Sequence, residues 1–569
     1  MNQNPGIEPL RNETFDLVVV GSGAAGLSAA VTAAHQGLKV VLVEKAEVIG
    51  GTTAWSGGWM WVPRNPLAVR AGIVENIEAP RTYLSHILGN NYDERKVDAF
   101  LRAAPEMVTF FETSTALSFE TGTYIPDTYG QVPGAGQGGR SVIAAPFNGR
   151  ELGKSIARIR LPLAETAFMG MTIQAGPDLK AFMSMTRSIA SFAYVTKRFS
   201  RHLADLVLHR RGMQLRNGNA LVARLLKSAL DAGVDLRTSV DVTRLIKSEG
   251  RVQGVEYADA AGEGRIDARL GVVLATGGAP HDPDRIAPLS PQRLPPKTLA
   301  TEHSTGAGAA LAEAVGAAFD CSLASPSAYC PVSEVPKPDG THSLFPHIIE
   351  RGKPGIIGVL KNGRRFCNEG NGYHDYVTAM LDATPDGRTA ESWLVCTRTF
   401  QRRYGLGISR PRPLPVGPFV RNGYLKHGKT LRELALACGI DPDGLERTVH
   451  DYNTHAVRGE DSAFGRGTTP YNRLQGDPSQ GPNPCVAPLD RGPYFAVRVI
   501  PGSFGTFAGL KTNEHAQVLN DGGEVIEGLY AAGADMASVM GGHYPAGGIN
   551  LGPAMAFGYI AGKHAAGAT

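Results

Sequence analysis

The chain has 569 residues, 19 % of them charged and 42 % hydrophobic. This is a soluble, globular mix, too long for one ordinary core. A formal net charge of +4 without any Lys/Arg block argues against a nucleic-acid partner, and six scattered cysteines without a CxxC pair argue against a disulfide framework or a zinc site.

A reducing, cytoplasmic setting follows from the cysteine usage. Residues 1–14 are polar and lack the apolar stretch of a secretory signal. No run of eighteen apolar residues predicts a membrane span.

In chain order, residues 15–20 (FDLVVV) read as a buried strand and are followed at once by Gly21-Ser22-Gly23-Ala24-Ala25-Gly26. An Ala-rich helix then runs to about Gln36, with Gly37 as its stop. Residues 39–44 are a second strand, closed by Glu44. This is a βαβ unit of the size that holds a dinucleotide. Gly21, Gly23 and Gly26 allow a tight turn and close approach to a pyrophosphate at a helix N-terminus. Glu44 sits where an adenosine ribose is read, and its carboxylate disfavours the 2′-phosphate of NADP. The fingerprint alone leaves NAD and FAD both open.

Residues 50–63 form a Gly/Trp-rich loop, 80–118 a helical stretch, and 119–150 an irregular Gly/Pro/Tyr-rich segment. Residues 178–211 are basic and amphipathic. A solvated helix covering the site is the plainer reading there, and a peripheral membrane contact the sharper one. Short strands are expected over 234–258, a buried strand over 271–278 and a helix near 306–318. Residues 323–498 carry proline-rich loops and few parallel-strand signals. After them come a strand at 528–533 and a small-residue helix at 553–566. The fold class expected is α/β, a Rossmann-like nucleotide-binding domain with an inserted α+β domain. The first domain is discontinuous, 1–322 with 499–569, and the insertion is 323–498.

Near the C-terminus, Tyr544 precedes Gly548 by four residues in a loop that opens onto a helix. One phenolic O–H and one unhindered backbone N–H can converge on a carbonyl oxygen and stabilise the enolate formed by loss of a neighbouring proton.

Several motifs carry a resemblance. Glu44-Lys45, Gly50-Gly51-Thr52-Thr53, Ser56-Gly57-Gly58 and Ala275-Thr276-Gly277-Gly278 resemble the FAD-dependent succinate dehydrogenase/fumarate reductase superfamily. The YPAGG and LGPAMAFGYIAG runs and the segment 364–373 (RRFCNEGNGY) resemble 3-ketosteroid Δ1-dehydrogenases within it. The resemblance implies FAD, held around Gly21, Gly23, Ala24, Ala25, Gly26, Glu44, Lys45, Gly51, Thr52, Thr53, Ser56, Gly57 and Gly58. From the later motifs it adds Ala275, Thr276, Gly277, Gly533, Asp535, Asn550 and Leu551. It also implies removal of two hydrogens beside a ring ketone. Tyr544 and Gly548 then hold the carbonyl, and Tyr373 takes the α-proton. Tyr129, with Tyr124 in reserve, assists the base. A quinone-like acceptor is implied for the electrons.

Three alternatives are weighed. A fumarate-reductase-like enzyme needs cationic clamps and an arginine proton donor, yet 541–560 contains no arginine. A smaller cyclic ketone, cyclohexanone or 4-oxocyclohexanecarboxylate, fits the same catalytic residues. A flavin-binding redox sensor without turnover is disfavoured by three matching tyrosines.

Overall fold

The computed structural model describes residues 11–291, 294–385 and 388–568. Residues 1–10, on which the reading of the N-terminus partly rests, lie outside the described residues.

A parallel sheet forms the frame. The strand Arg11–Val20 lies between Gly262–Leu274 and Val40–Glu44, parallel to both. Val525–Ala531 continues the sheet on one side and Asp235–Thr238 on the other. Leu17, Val18, Val19, Leu42 and Val273 are buried, the continuous apolar pattern expected of strands covered on both faces. The stretch read as short strands, 234–258, extends into an antiparallel meander of Asp241–Ser248, Arg251–Asp259 and Gly262–Leu274.

Helix Ala24–His35 crosses the C-terminal helix Leu551–Ala565 at close range. A Cβ on Gly558 would lie 2.4 Å from the Ala25 carbonyl oxygen, and one on Gly562 2.7 Å from that of Ala29. Ser28 Oγ donates to the Met555 carbonyl at 2.7 Å. Small residues at the crossing therefore set the Tyr544 loop beside the nucleotide fingerprint.

A second sheet, mostly antiparallel, is centred on the long strand Tyr494–Thr506, which pairs with Ser327–Pro336 and Ser392–Thr397. That central strand runs past residue 498, and Lys297–Thr298 joins it from the other part of the chain. The segment 119–150 is less irregular than its composition suggests. Phe119–Thr121 and Ser141–Ala144 pair with each other, and the latter also pairs with Trp59–Trp61 of the Gly/Trp-rich loop. Residues 122–140 between them are loop. No helix of the described residues is long and apolar enough to cross a membrane.

Candidate active site

The nucleotide cradle is built at the ends of the parallel strands. Gly21 has φ +105°, and a Cβ there would lie 2.2 Å from the Ala275 carbonyl oxygen. A Cβ on Gly26 would lie 1.9 Å from the Gly21 oxygen. These two glycines are required by the turn and by helix–strand packing. Gly23 differs, since its nearest neighbour would be Thr53 Oγ1 at 3.6 Å, and Gly51 and Gly57 face open space. The open side is where a pyrophosphate can approach the helix N-terminus.

The other residues expected around the nucleotide are partly engaged with one another. Thr53 Oγ1 accepts the Ala24 N–H at 3.0 Å, and Thr52 Oγ1 accepts that of Thr301 at 3.1 Å. Ser56 Oγ donates to the Thr53 carbonyl at 2.7 Å and accepts the Gly58 N–H at 3.2 Å. One Glu44 oxygen accepts both the Ser22 N–H and the Ser22 hydroxyl, at 2.9 and 2.6 Å. The Lys45 side chain points outward to Asp241 at 3.0 Å. Asp535, just after Gly533, is buried and accepts the Thr276 and Gly278 N–H groups and the Thr276 hydroxyl. It thereby fixes the turn containing Gly277. This open glycine face, flanked by a buried carboxylate at the second strand end, fits a dinucleotide.

The tyrosines expected at the site come together from distant segments. Tyr373 opens the helix Tyr373–Asp382, and its ring meets that of Tyr544 edge to face, centroids 4.9 Å apart. Phe504 packs on its other side at 5.5 Å. Tyr544 Oη accepts the Asn550 side-chain N–H at 3.3 Å, which leaves its own proton free to be donated. Gly548 has φ +98°, and its carbonyl accepts the N–H groups of Trp61 and Gly552 at 3.1 and 2.9 Å. Among the described residues its N–H has no acceptor. Two donors are thus available within one five-residue turn.

The run before Tyr373 is held by a buried ionic net. Glu369 accepts from Arg365 at 2.8 and 2.7 Å and from the Gly358 N–H at 2.9 Å. Arg365 also reaches Asp461 at 2.8 Å. Asn368 donates to the Asn472 side chain at 2.9 Å, and Asn472 donates to Asn371 at 3.1 Å. The Asn-Glu pair therefore shapes the turn that presents Tyr373.

Tyr129 donates to the Asp375 carboxylate at 2.5 Å, two residues past Tyr373. The loop carrying Tyr129 is fixed by Asp127, which accepts from Arg140 at 2.6 Å and from Trp61 Nε1 at 2.9 Å. Tyr83 ties that loop to the Tyr544 turn, donating to the Pro545 carbonyl at 2.6 Å and accepting the Tyr129 N–H at 3.3 Å. Tyr124 lies apart, 45 % exposed, with its hydroxyl against Gly176.

Burial pushes the Tyr373 phenol well above the ordinary tyrosine range, and contact with Tyr544 pushes it further. Burial raises Tyr544 as well. Asp375 is pushed up to about 6 by burial, against the pull of the Tyr129 hydroxyl, Arg351 and the Gly372 amide. His374, beside Tyr544, is driven down to about 3 by burial and stays neutral.

Asp375, Tyr83 and Tyr471 carry no motif and were invisible to pattern reading. Tyr471 is buried within electrostatic reach of Tyr373, Tyr544 and Tyr129. The only sequence signal was the position of Asp375 in the first turn of the helix that Tyr373 opens.

The model of the FAD binding domain family matches residues 16–551. A 4-oxocyclohex-2-ene-1-carboxylate 5-dehydrogenase of Sinomonas cyclohexanicum is 39 % identical, over 98 % of this chain and 95 % of that one. A 3-oxosteroid 1-dehydrogenase of Mycobacterium tuberculosis is 35 % identical, over 97 % and 98 %. The crystal structure of a 3-ketosteroid Δ1-dehydrogenase from Sterolibacterium denitrificans, in complex with 1,4-androstadiene-3,17-dione, superposes with a TM-score of 0.89. It is 32 % identical over 98 % of this chain and all of that one. The chain therefore belongs to the FAD-binding flavoprotein oxidoreductases, in the group of the 3-ketosteroid Δ1-dehydrogenases, and FAD is its cofactor.

Proposed function

We propose that the protein introduces a C=C bond next to the carbonyl of a ring ketone, with a 3-ketosteroid as the substrate. The observation that carries this reading is the unpaired Gly548 N–H in the same short turn as Tyr544, with Tyr373 packed against Tyr544. Tyr544 and Gly548 donate to the ketone oxygen and stabilise the charge that grows there. Tyr373 accepts the α-proton at its phenolic oxygen as the phenolate, its own proton having passed to solvent before the step. Bound FAD supplies the acceptor for the β-hydride. Burial makes that phenolate a minor form but a stronger base, and the carbonyl donors bring the α-carbon's acidity within its reach. Tyr129, held by Asp375, assists by orienting groups around the base.

In this reading residues 323–498, which supply Tyr373, Asp375 and Tyr471, form the substrate domain within an FAD domain of 1–322 and 499–569. The glycine cradle and Glu44 hold the pyrophosphate and ribose. A cytoplasmic setting and a quinone-like electron acceptor complete it.

The Sinomonas relative favours a second reading, a single-ring ketone bearing a carboxylate. Such a substrate needs a cation to receive its anion. Arg351 is the buried cation whose charge reaches Asp375 and Tyr471. It donates to the carbonyls of His347, Glu369 and Asn371. That favours the neutral, larger ketone.

The test is an anaerobic screen for flavin bleaching with androst-4-ene-3,17-dione, cyclohexanone, 4-oxocyclohexanecarboxylate and succinate. Bleaching by the steroid is expected. Bleaching by 4-oxocyclohexanecarboxylate but not the steroid establishes the second reading, and bleaching by succinate alone overturns both.

A further inference from the structure

The basic side chains around the nucleotide cradle are unequally engaged. Lys45 is turned to Asp241, and Arg158 donates from Nη2 to the Leu236 carbonyl at 2.7 Å. Arg160 is placed differently. Its backbone N–H donates to the Ile49 carbonyl at 3.0 Å, and its carbonyl accepts the Asn219 side-chain N–H at 3.2 Å. These bonds fix the residue beside the start of the Gly50-Gly51-Thr52-Thr53 turn. Its guanidinium carbon stands over the Trp55 ring, 5.5 Å from the centroid. The indole is itself held, with Nε1 donating to the Leu161 carbonyl at 3.1 Å. Thr301, whose N–H donates to Thr52 Oγ1, brings the neighbouring Glu302 to the same guanidinium.

The Arg160 side chain is only 10 % exposed yet poorly paired. Nη1 donates to Glu302 Oε1 at 3.3 Å, long for a bond between charges, and this is the side chain's one hydrogen bond among the described residues. Nε is fully buried and has no acceptor. A guanidinium carries five N–H groups, and leaving buried ones unmet is costly. Glu302 does not meet the need, since its side chain is 61 % exposed and also faces His303 at 3.5 Å. A planar fork with free donors suits an oxyanion, phosphate above all.

The cradle lacks such a cation otherwise. The FAD pyrophosphate is a dianion, whereas the N-terminus of Ala24–His35 offers roughly half a positive charge. The carboxylates of Glu44 and Asp535, both buried in the cradle, deepen the deficit. We propose, on the reading that the glycine cradle holds the pyrophosphate, that Arg160 is the cation that receives it. Its donors pass from Glu302 to phosphate oxygens. The Glu302 carboxylate, already mostly in water, is released at little cost.

The test is release of flavin from the FAD-loaded protein on dilution, followed by flavin fluorescence at several salt concentrations. Arg160→Gln is expected to raise the FAD dissociation constant about tenfold to a hundredfold. It should also flatten the dependence on salt, because one ion contact is gone. Arg160→Lys keeps the charge and should recover part of the loss. Glu302→Gln should hold FAD as tightly as wild type or more tightly. A merely structural Arg160–Glu302 pair would instead lower the melting temperature in both variants and leave the salt dependence unchanged. Wild-type affinity in Arg160→Gln overturns the proposal, and so does equal weakening in Arg160→Gln and Glu302→Gln. Gly23→Ala, measured alongside, separates Arg160 from the cradle. If Gly23→Ala weakens FAD binding and Arg160→Gln does not, Arg160 alone is wrong. If both bind as wild type does, the cradle reading falls as well.

Discussion

Tyr373 and Tyr544 stand edge to face, 171 residues apart in sequence, with ring planes at 73° and centroids 4.9 Å apart. One lies on the segment carrying the Asn-Glu turn, the other on the loop leading into the C-terminal helix. Their contact joins the proposed base to the proposed carbonyl clamp, and it depends on both elements being held independently.

Gly548 is held against the backbone of Trp59–Trp61. A Cβ there would lie 2.8 Å from the Trp59 oxygen and from the Trp61 nitrogen, at φ +98°. Gly548→Ala is expected to displace the clamp and lower turnover roughly a hundredfold. At Gly547, a Cβ meets nothing within 4 Å, so Gly547→Ala should stay near wild type. Steady-state rates of the two variants check this.

The fingerprint glycines should separate folding from cofactor binding. Gly21→Ala places a Cβ 2.2 Å from the Ala275 oxygen and should destabilise even the cofactor-free protein. Gly23→Ala meets only Thr53 Oγ1 at 3.6 Å. It should fold normally and lose FAD affinity. Thermal unfolding and flavin absorbance of the purified variants distinguish the two outcomes.

Asp375 gives a pH signature. Its folded value of about 6 exceeds the ordinary 3.8 because burial disfavours the anion. The native state therefore binds more protons than the unfolded state between these values, and stability falls as pH rises through that window. Besides Tyr129, the groups facing it are Arg351, Tyr471, Tyr83 and Cys367. As Asp375 ionises it becomes the stronger acceptor for Tyr129, so activity should rise with pH through about 6. Asp375→Asn should remove this acid limb and raise stability above pH 6. The pH–rate profile and denaturation at two pH values test both.

Tyr83→Phe removes the 2.6 Å bond to Pro545 and leaves only the Thr128 N–H, at 2.9 Å, on that carbonyl. A stability loss of about 1 kcal/mol is expected. KM should rise more than FAD affinity falls, because the Tyr544 turn moves while the cradle does not. Paired measurements of KM and FAD dissociation decide this.

The parallel core was legible because Val18, Val19, Leu42 and Val43 are buried on both faces and so read as unbroken apolar runs. The proposed clamp is visible as a motif because Tyr544 and Gly548 share one short turn. The second sheet was not, since its central strand Tyr494–Thr506 includes Pro501, Gly502 and Gly505, which break the pattern. Asp375 and Tyr83 escaped for another reason. Their partners, Tyr129 and Pro545, lie 246 and 462 residues away, and no local spacing records such pairings. The helix Ile189–His209 is amphipathic in sequence, but only the burial of Arg198 and Asp205 shows which side faces out.

The central claim concerns proton removal at Tyr373 and carbonyl activation at Tyr544. Its most direct measurement is the anaerobic rate of flavin reduction by a bleaching ketone in wild type, Tyr373→Phe and Tyr544→Phe, each with FAD content determined. The account predicts full FAD occupancy and rates lower by roughly two powers of ten or more in both variants. Reduction at the wild-type rate in either variant contradicts it.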